Sequence, residues 1–130
     1  MTPQWTSMMS TNPPPARGDV VLVDYPFSSG VGSKRRPALV VQNARDNARL
    51  TNTIIVMITS RTARAHEATQ LFIAISTPEG QQSGLRQDSV VARSNLFTIE
   101  KRLVLHRIGI LSDNLMSQID DCLKATLKLP

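Results

Sequence analysis

Thr53-Ile54-Ile55-Val56-Met57-Ile58-Thr59 is the stretch on which the fold turns. Its middle is apolar without interruption, the pattern of a strand covered on both faces rather than one alternating between core and solvent. On its N-terminal side, Pro37 introduces a second strand, Ala38 to Gln42. Before that lies a first, Val20 to Tyr25, ended by Pro26. Ser28-Ser29-Gly30-Val31-Gly32-Ser33 between them reads as a loop, its small residues and two glycines giving conformational freedom. On the C-terminal side, a fourth strand, Leu71 to Ile75, is closed by the turn signal Thr77-Pro78-Glu79-Gly80. A fifth follows at Ser89 to Arg93, and shorter strands surround Leu96 to Ile99 and Leu103 to Ile108. Short aliphatic strands alternating with polar turns are the rhythm of a small barrel or sandwich.

The last segment changes period. Ser112 is an N-cap candidate, and Leu115, Met116, Ile119, Cys122, Leu123 and Leu127 then recur at helical spacing. Asp113 in the first turn and Lys128 in the last suit the helix dipole. One amphipathic helix packed on the strands is the expectation. Residues 1 to 16, with Asn12-Pro13-Pro14-Pro15, read as a tail without chemistry, which leaves residues 17 to 130 as a single domain.

A chain of 130 residues fits one domain, and 41% hydrophobic against 19% charged residues excludes a disordered polymer. Aromatics at 4% make the core aliphatic and base-stacking platforms few. One cysteine, Cys122, excludes an internal disulfide and a thiolate zinc cluster. It falls on the apolar stripe of the helix and is read as a core residue, not a nucleophile. Two histidines, His66 and His106, are too few to suggest a transition-metal site, so no metal or cofactor is expected. The start lacks a secretory signal, and no run approaches the roughly 18 apolar residues of a membrane span. A cytoplasmic chain without a membrane partner is expected.

The net charge of +5 is concentrated. Between Ser33 and Arg64, Lys34, Arg35, Arg36, Arg45, Arg49, Arg61 and Arg64 face the lone acid Asp46, a local excess larger than the whole chain's. Such a patch favours a polyanion, because each phosphate contact releases a condensed counterion; a merely solvated basic face is the alternative.

Three polar features sit where strands meet loops. In Lys34-Arg35-Arg36-Pro37, proline disfavours the helical region for the residue before it, so Arg36 is held extended at the mouth of strand two. A guanidinium fixed in this way presents its planar fork in one orientation, as phosphate recognition requires. In Thr59-Ser60-Arg61 an apolar strand ends in two hydroxyls and a guanidinium. If strands two and three run antiparallel, Arg36 and Thr59 come to face each other across one ladder. Val91-Ala92-Arg93-Ser94-Asn95 is the third feature, again basic and polar at a strand's end. Each has an ordinary structural explanation as well: a proline-terminated basic loop, hydroxyls satisfying backbone groups, a surface ion pair.

Taken in order, Arg17-Gly18-Asp19-Val20-Val21-Leu22-Val23, Arg36-Pro37-Ala38-Leu39-Val40-Val41 and Ile58-Thr59-Ser60 resemble the opening blocks of the MazF/PemK family of toxin endoribonucleases. Asp88-Ser89-Val90-Val91 and Phe97-Thr98-Ile99-Glu100-Lys101 are similar to its later blocks, and the likeness runs from about Arg17 to Leu129. The resemblance implies a mainly β fold with a C-terminal helix, an SH3-like small β-barrel of the PemK/MazF type. It implies a homodimer that binds single-stranded RNA along the subunit interface, and a cognate acidic antitoxin that blocks it. The arginine before the proline and the strand-end threonine, taken in that family as the catalytic pair, fall on Arg36 and Thr59. Some members carry a histidine in the loop before the Arg-Pro step; Ser28 to Arg35 has none. Some carry an aspartate where Asn95 stands.

Metal-independent cleavage of RNA then follows from attack of the ribose 2′-oxygen on the adjacent phosphorus. Arg36 answers the charge that builds on the non-bridging oxygens, and Thr59 donates a hydrogen bond that holds the phosphate in line. Lys34, Arg35, Arg61 and Arg93 would hold neighbouring phosphates, and Ser28, Ser29, Ser60 and Asn95 would read base edges in an unpaired strand. His66 is the imidazole nearest to Thr59 in sequence, though a solvated loop histidine is the commoner case. Two rivals stand beside this reading: a non-enzymatic gyrase poison on the same barrel, and an RNA-binding barrel without catalysis.

Overall fold

The computed structural model describes residues 13–26, 31–63, 67 and 70–130, and of Pro26, Ser33, Arg93 and Ser94 the backbone alone. Among the described residues, six strands form one antiparallel sheet: β1 (Asp19–Pro26), β2 (Ser33–Val40), β3 (Asn52–Thr59), β4 (Gln70–Ile73), β5 (Ser89–Glu100) and β6 (Val104–Ile110). Their spatial order is β4-β5-β3-β2-β1-β6. Two short α-helices, α1 (Ala44–Arg49) and α2 (Pro78–Gln82), a long one, α3 (Asp113–Leu127), and a single 3-10 turn at Lys101–Leu103 complete the fold.

The uninterrupted apolar run of β3 has the expected cause. Val56 and Ile58 belong to a cluster with Val20, Leu39, Val91 and the α3 residues Leu115, Ile119 and Cys122. Ile55 and Met57 belong to a second cluster on the other face, with Val21, Val23, Ala38 and Ile99. Helix α3 is capped by Ser112, whose hydroxyl accepts the Leu115 N–H at 3.2 Å, and it turns Leu115, Ile119 and Cys122 inward. The Cys122 thiol is buried, 3.6 Å from the Gln70 carbonyl oxygen. Lys128, expected in the last turn, is instead the C-cap, in the left-handed conformation at φ 56°. Leu129 N–H then reaches back to the Lys124 carbonyl at 2.8 Å.

Four local expectations are corrected. β2 starts at Ser33 and not at Ala38, because β1 supplies a partner for each residue from Leu39 back to Ser33. Pro37 therefore lies inside the strand. It stands just where pairing with β3 stops, at Ala38, a place where a missing N–H is tolerated. The strands expected at Ser89–Arg93 and around Leu96–Ile99 are one strand. Met57 faces Ala92 while its neighbour Val56 faces Leu96, so residues 93 to 95 form a bulge. Thr77 caps a one-turn helix, α2, where a simple turn was read. β4 ends at Ile73.

Helix α1, between β2 and β3, was not foreseen. It is organised around Asn47, fully buried. The Asn47 side-chain oxygen accepts from Gln42 at 2.9 Å and from the Thr53 hydroxyl at 2.6 Å, while its amide donates to the Gln42 carbonyl at 2.9 Å. Lys101 Nζ donates to the Asn47 carbonyl at 2.7 Å. These bonds fix the ends of β2 and β3 to one another.

No ladder joins the sheet's edges, β4 and β6. The gap is covered by backbone instead. A Cβ on Gly84 would lie 2.0 Å from the Ile108 carbonyl oxygen, and one on Gly109 would lie 2.3 Å from the Ser83 carbonyl carbon. Gly84 also has φ +73°, where a side chain is strained. Two glycines thus let the segment before β5 lie directly on β6, which gives the open sheet its barrel-like form.

Candidate functional site

Pairing across the sheet sets out one row of side chains. Directly opposed residues of antiparallel strands share a face. Leu22 of β1 faces His106 of β6 on one side and Pro37 of β2 on the other. The β2–β3 register, continued one step beyond Ala38↔Met57, brings Ile58 next to Pro37. All four line a groove of about 860 Å³. One step further out, the same register sets Arg36 beside Thr59, at the last residue of β3, and both line the groove as well. Both are half-buried.

The groove's other wall is Leu85, Arg86 and Gln87, held there by the Gly84–Ile108 approach. Six cations line it: Lys34, Arg35, Arg36, Arg61, Arg86 and Arg107. Arg107 has a partner in Asp19, at 3.7 Å; the other five form no ion pair with the described residues. No described aspartate or glutamate lines the groove. Within it, the Thr59 hydroxyl oxygen accepts the Arg61 N–H at 3.1 Å. A hydroxyl has one donor and two acceptor sites, so accepting this bond leaves the Thr59 O–H able to donate.

Of the residues singled out in the sequence, Arg36, Thr59, Lys34, Arg35, Ser60 and Arg61 share this groove. Asn95 is exposed on the β5 bulge and does not line it. The Arg93 side chain, Ser28, Ser29 and His66 lie outside the described residues. Three lining residues with ionisable side chains were missed: His106, Arg107 and Arg86. Their distance along the chain from Arg36 and Thr59 hid them. For His106 there was a further obstacle. Val20 faces Gly109 but Val21 faces Arg107, so Ile108 is skipped. Without that bulge Leu22 would face Arg107, so simple alternation along β6 does not predict that His106 stands opposite Leu22.

Residues 16–127 match the family model described as PemK-like, MazF-like toxin of type II toxin–antitoxin system. The chain is 32% identical over 116 residues to Endoribonuclease EndoA of Bacillus subtilis, covering 87% of this chain and 94% of the relative. It is 34% identical over 116 residues to Endoribonuclease MazF6 of Mycobacterium tuberculosis, covering 88% and 97%. Among solved structures, a mycobacterial endoribonuclease superposes with a TM-score of 0.69 at 24% identity, covering 93% of this chain and 98% of that one. A MazE–MazF complex from Deinococcus radiodurans gives 0.70 at 19% identity, covering 89% and 98%. At those identities the superpositions speak for the fold.

Proposed function

The chain belongs to the PemK-like, MazF-like toxins of type II toxin–antitoxin systems and shares the endoribonuclease activity of its relatives, and we propose that Arg36 and Thr59 are its catalytic pair. The supporting observation is that adjacent antiparallel strands bring these two residues to one cation-lined groove. A 2′-oxygen attacking phosphorus puts charge on the two non-bridging oxygens. Arg36, always protonated and able to bind two oxygens at once, neutralises it. The Thr59 O–H donates to the same phosphate and keeps the leaving 5′-oxygen in line. The products are a 2′,3′-cyclic phosphate and a 5′-hydroxyl.

Lys34, Arg35 and Arg61 hold the neighbouring phosphates of an unpaired strand, and Ser60 is placed to meet a base edge. Ser28, Ser29, Arg93 and Asn95 extend this contact in the proposal without support from the groove. The reading places the protein in the cytoplasm, as a homodimer, with an acidic antitoxin as its inhibitor. The cations of the groove suit an acidic segment as well as they suit RNA.

The test is to incubate the purified chain with RNA of defined sequence in the presence of chelator and to identify the ends. Cut RNA ending in 2′,3′-cyclic phosphate is expected. Arg36→Ala should slow cleavage by a hundredfold to a thousandfold while circular dichroism stays native. Equal cleavage by the variant and the parent chain removes Arg36 from the role. RNA bound and never cut means a binding barrel instead.

A further inference from the structure

Arg36 and Thr59 answer the charge and the alignment of the reaction, but neither takes the proton that the 2′-hydroxyl must lose. Arginine is protonated at any pH the protein meets, and a threonine hydroxyl is a poor base. The lining of the groove narrows the choice. It holds lysine and arginine, hydroxyls, the amide of Gln87 and apolar groups, with no described carboxylate, thiol or phenol. His106 is the one described lining residue with an imidazole, whose ring nitrogen can accept a proton. The sheet register sets its place: the β6 bulge puts it opposite Leu22, and Leu22, Pro37 and Ile58, in line across the neighbouring strands, line the same groove as Arg36 and Thr59.

Resting on the nuclease reading above, we propose that His106 is the general base of the cleavage. Its imidazole takes the 2′-hydroxyl proton as the O2′–P bond forms. The P–O5′ bond breaks, the 5′-oxygen takes a proton from water, and the imidazolium returns its own proton to solvent. The guanidinium groups of the groove stabilise negative charge on the departing oxygen, so the step that cations cannot perform falls to the imidazole. The charged groups around it are Lys34, Arg35 and Arg36 of β2, Arg61 beyond β3, Arg86 of the opposite wall and Arg107 beside it on β6. Asp24, the carboxylate that β1 contributes near this end, stands opposite Arg35.

Single-turnover cleavage across pH tests this with His106→Ala, His106→Gln and, as comparison, His66→Ala. The parent chain should gain rate with rising pH and then level off. Both His106 variants should fall by a hundredfold to ten-thousandfold at the plateau and lose that acidic limb, whereas His66→Ala keeps it. Binding of the same oligonucleotide with its 2′-hydroxyls methylated should be unchanged. A substrate whose bridging 5′-oxygen is replaced by sulfur, a better leaving group, should leave the His106 defect in place. The proposal is overturned if the variants cleave at the parent rate, keep the acidic limb, or recover on the sulfur substrate, which would make His106 an acid. A parent chain that cuts no RNA overturns the nuclease reading itself, and this proposal with it.

Discussion

At Thr59 a single oxygen has two tasks. It accepts the Arg61 N–H at 3.1 Å, which holds the backbone past the end of β3, and in the proposed reaction it donates a hydrogen bond to the phosphate. The two tasks can be separated. Thr59→Ser retains both lone pairs and the donor and should cleave within a few-fold of the parent chain. Thr59→Val keeps the shape without the hydroxyl and should lose a hundredfold to a thousandfold in single-turnover rate. A valine variant as fast as the serine variant would show that no hydrogen bond from this position reaches the phosphate. Arg36 was legible for a local reason: proline follows it. His106 carries no such mark. Its neighbours Leu105 and Arg107 say nothing of a site, and its place opposite Leu22 depends on the β1–β6 bulges.

At the level of elements, the contact of the 83–88 segment with β6 rests on two absent side chains. Gly84→Ala meets the Ile108 carbonyl oxygen and a left-handed φ at once. The backbone strain alone is worth about 1–3 kcal/mol, so the urea midpoint should fall clearly. RNA affinity should fall with it, since Arg86 and Gln87 ride on the same segment. An unchanged midpoint would mean that the two backbones separate without cost. The elements that were legible are those with strong internal periodicity: β3 by its apolar run, α3 by its stripe and its Ser112 cap. α1 escaped because six residues are too few to show a period, and its organiser, Asn47, is a polar residue in the core. β5 was read as two strands because the bulge residues Arg93-Ser94-Asn95 look like a turn in sequence, while only the partner strand β3 shows them to be an interruption. Pro37 set the start of β2 too late, since partners on β1 outweigh a proline where the second ladder ends.

For the molecule as a whole, the net charge of +5 understates the field a ligand meets, because six cations line one groove. Binding of an uncleavable single strand should weaken steeply with salt, with a slope near −0.7 per phosphate neutralised. Arg86→Ala should lower that slope by about 0.7 and weaken all sequences alike; an unchanged slope would take Arg86 out of the interface. The Asn47 bonds lie at the opposite end of β2 and β3 from the groove, since Asn52 begins β3 and Thr59 ends it. Seven steps of extended chain make that about 23 Å. A slip of one residue between β2 and β3 at this anchor would set a different residue beside Arg36 and break its pairing with Thr59. Such a chain can stay folded and yet be harmless. A cell under pressure to disarm its own poison therefore has a second target far from the proposed catalytic pair, and silent copies of this gene are expected to carry their lesions there as readily as at the groove.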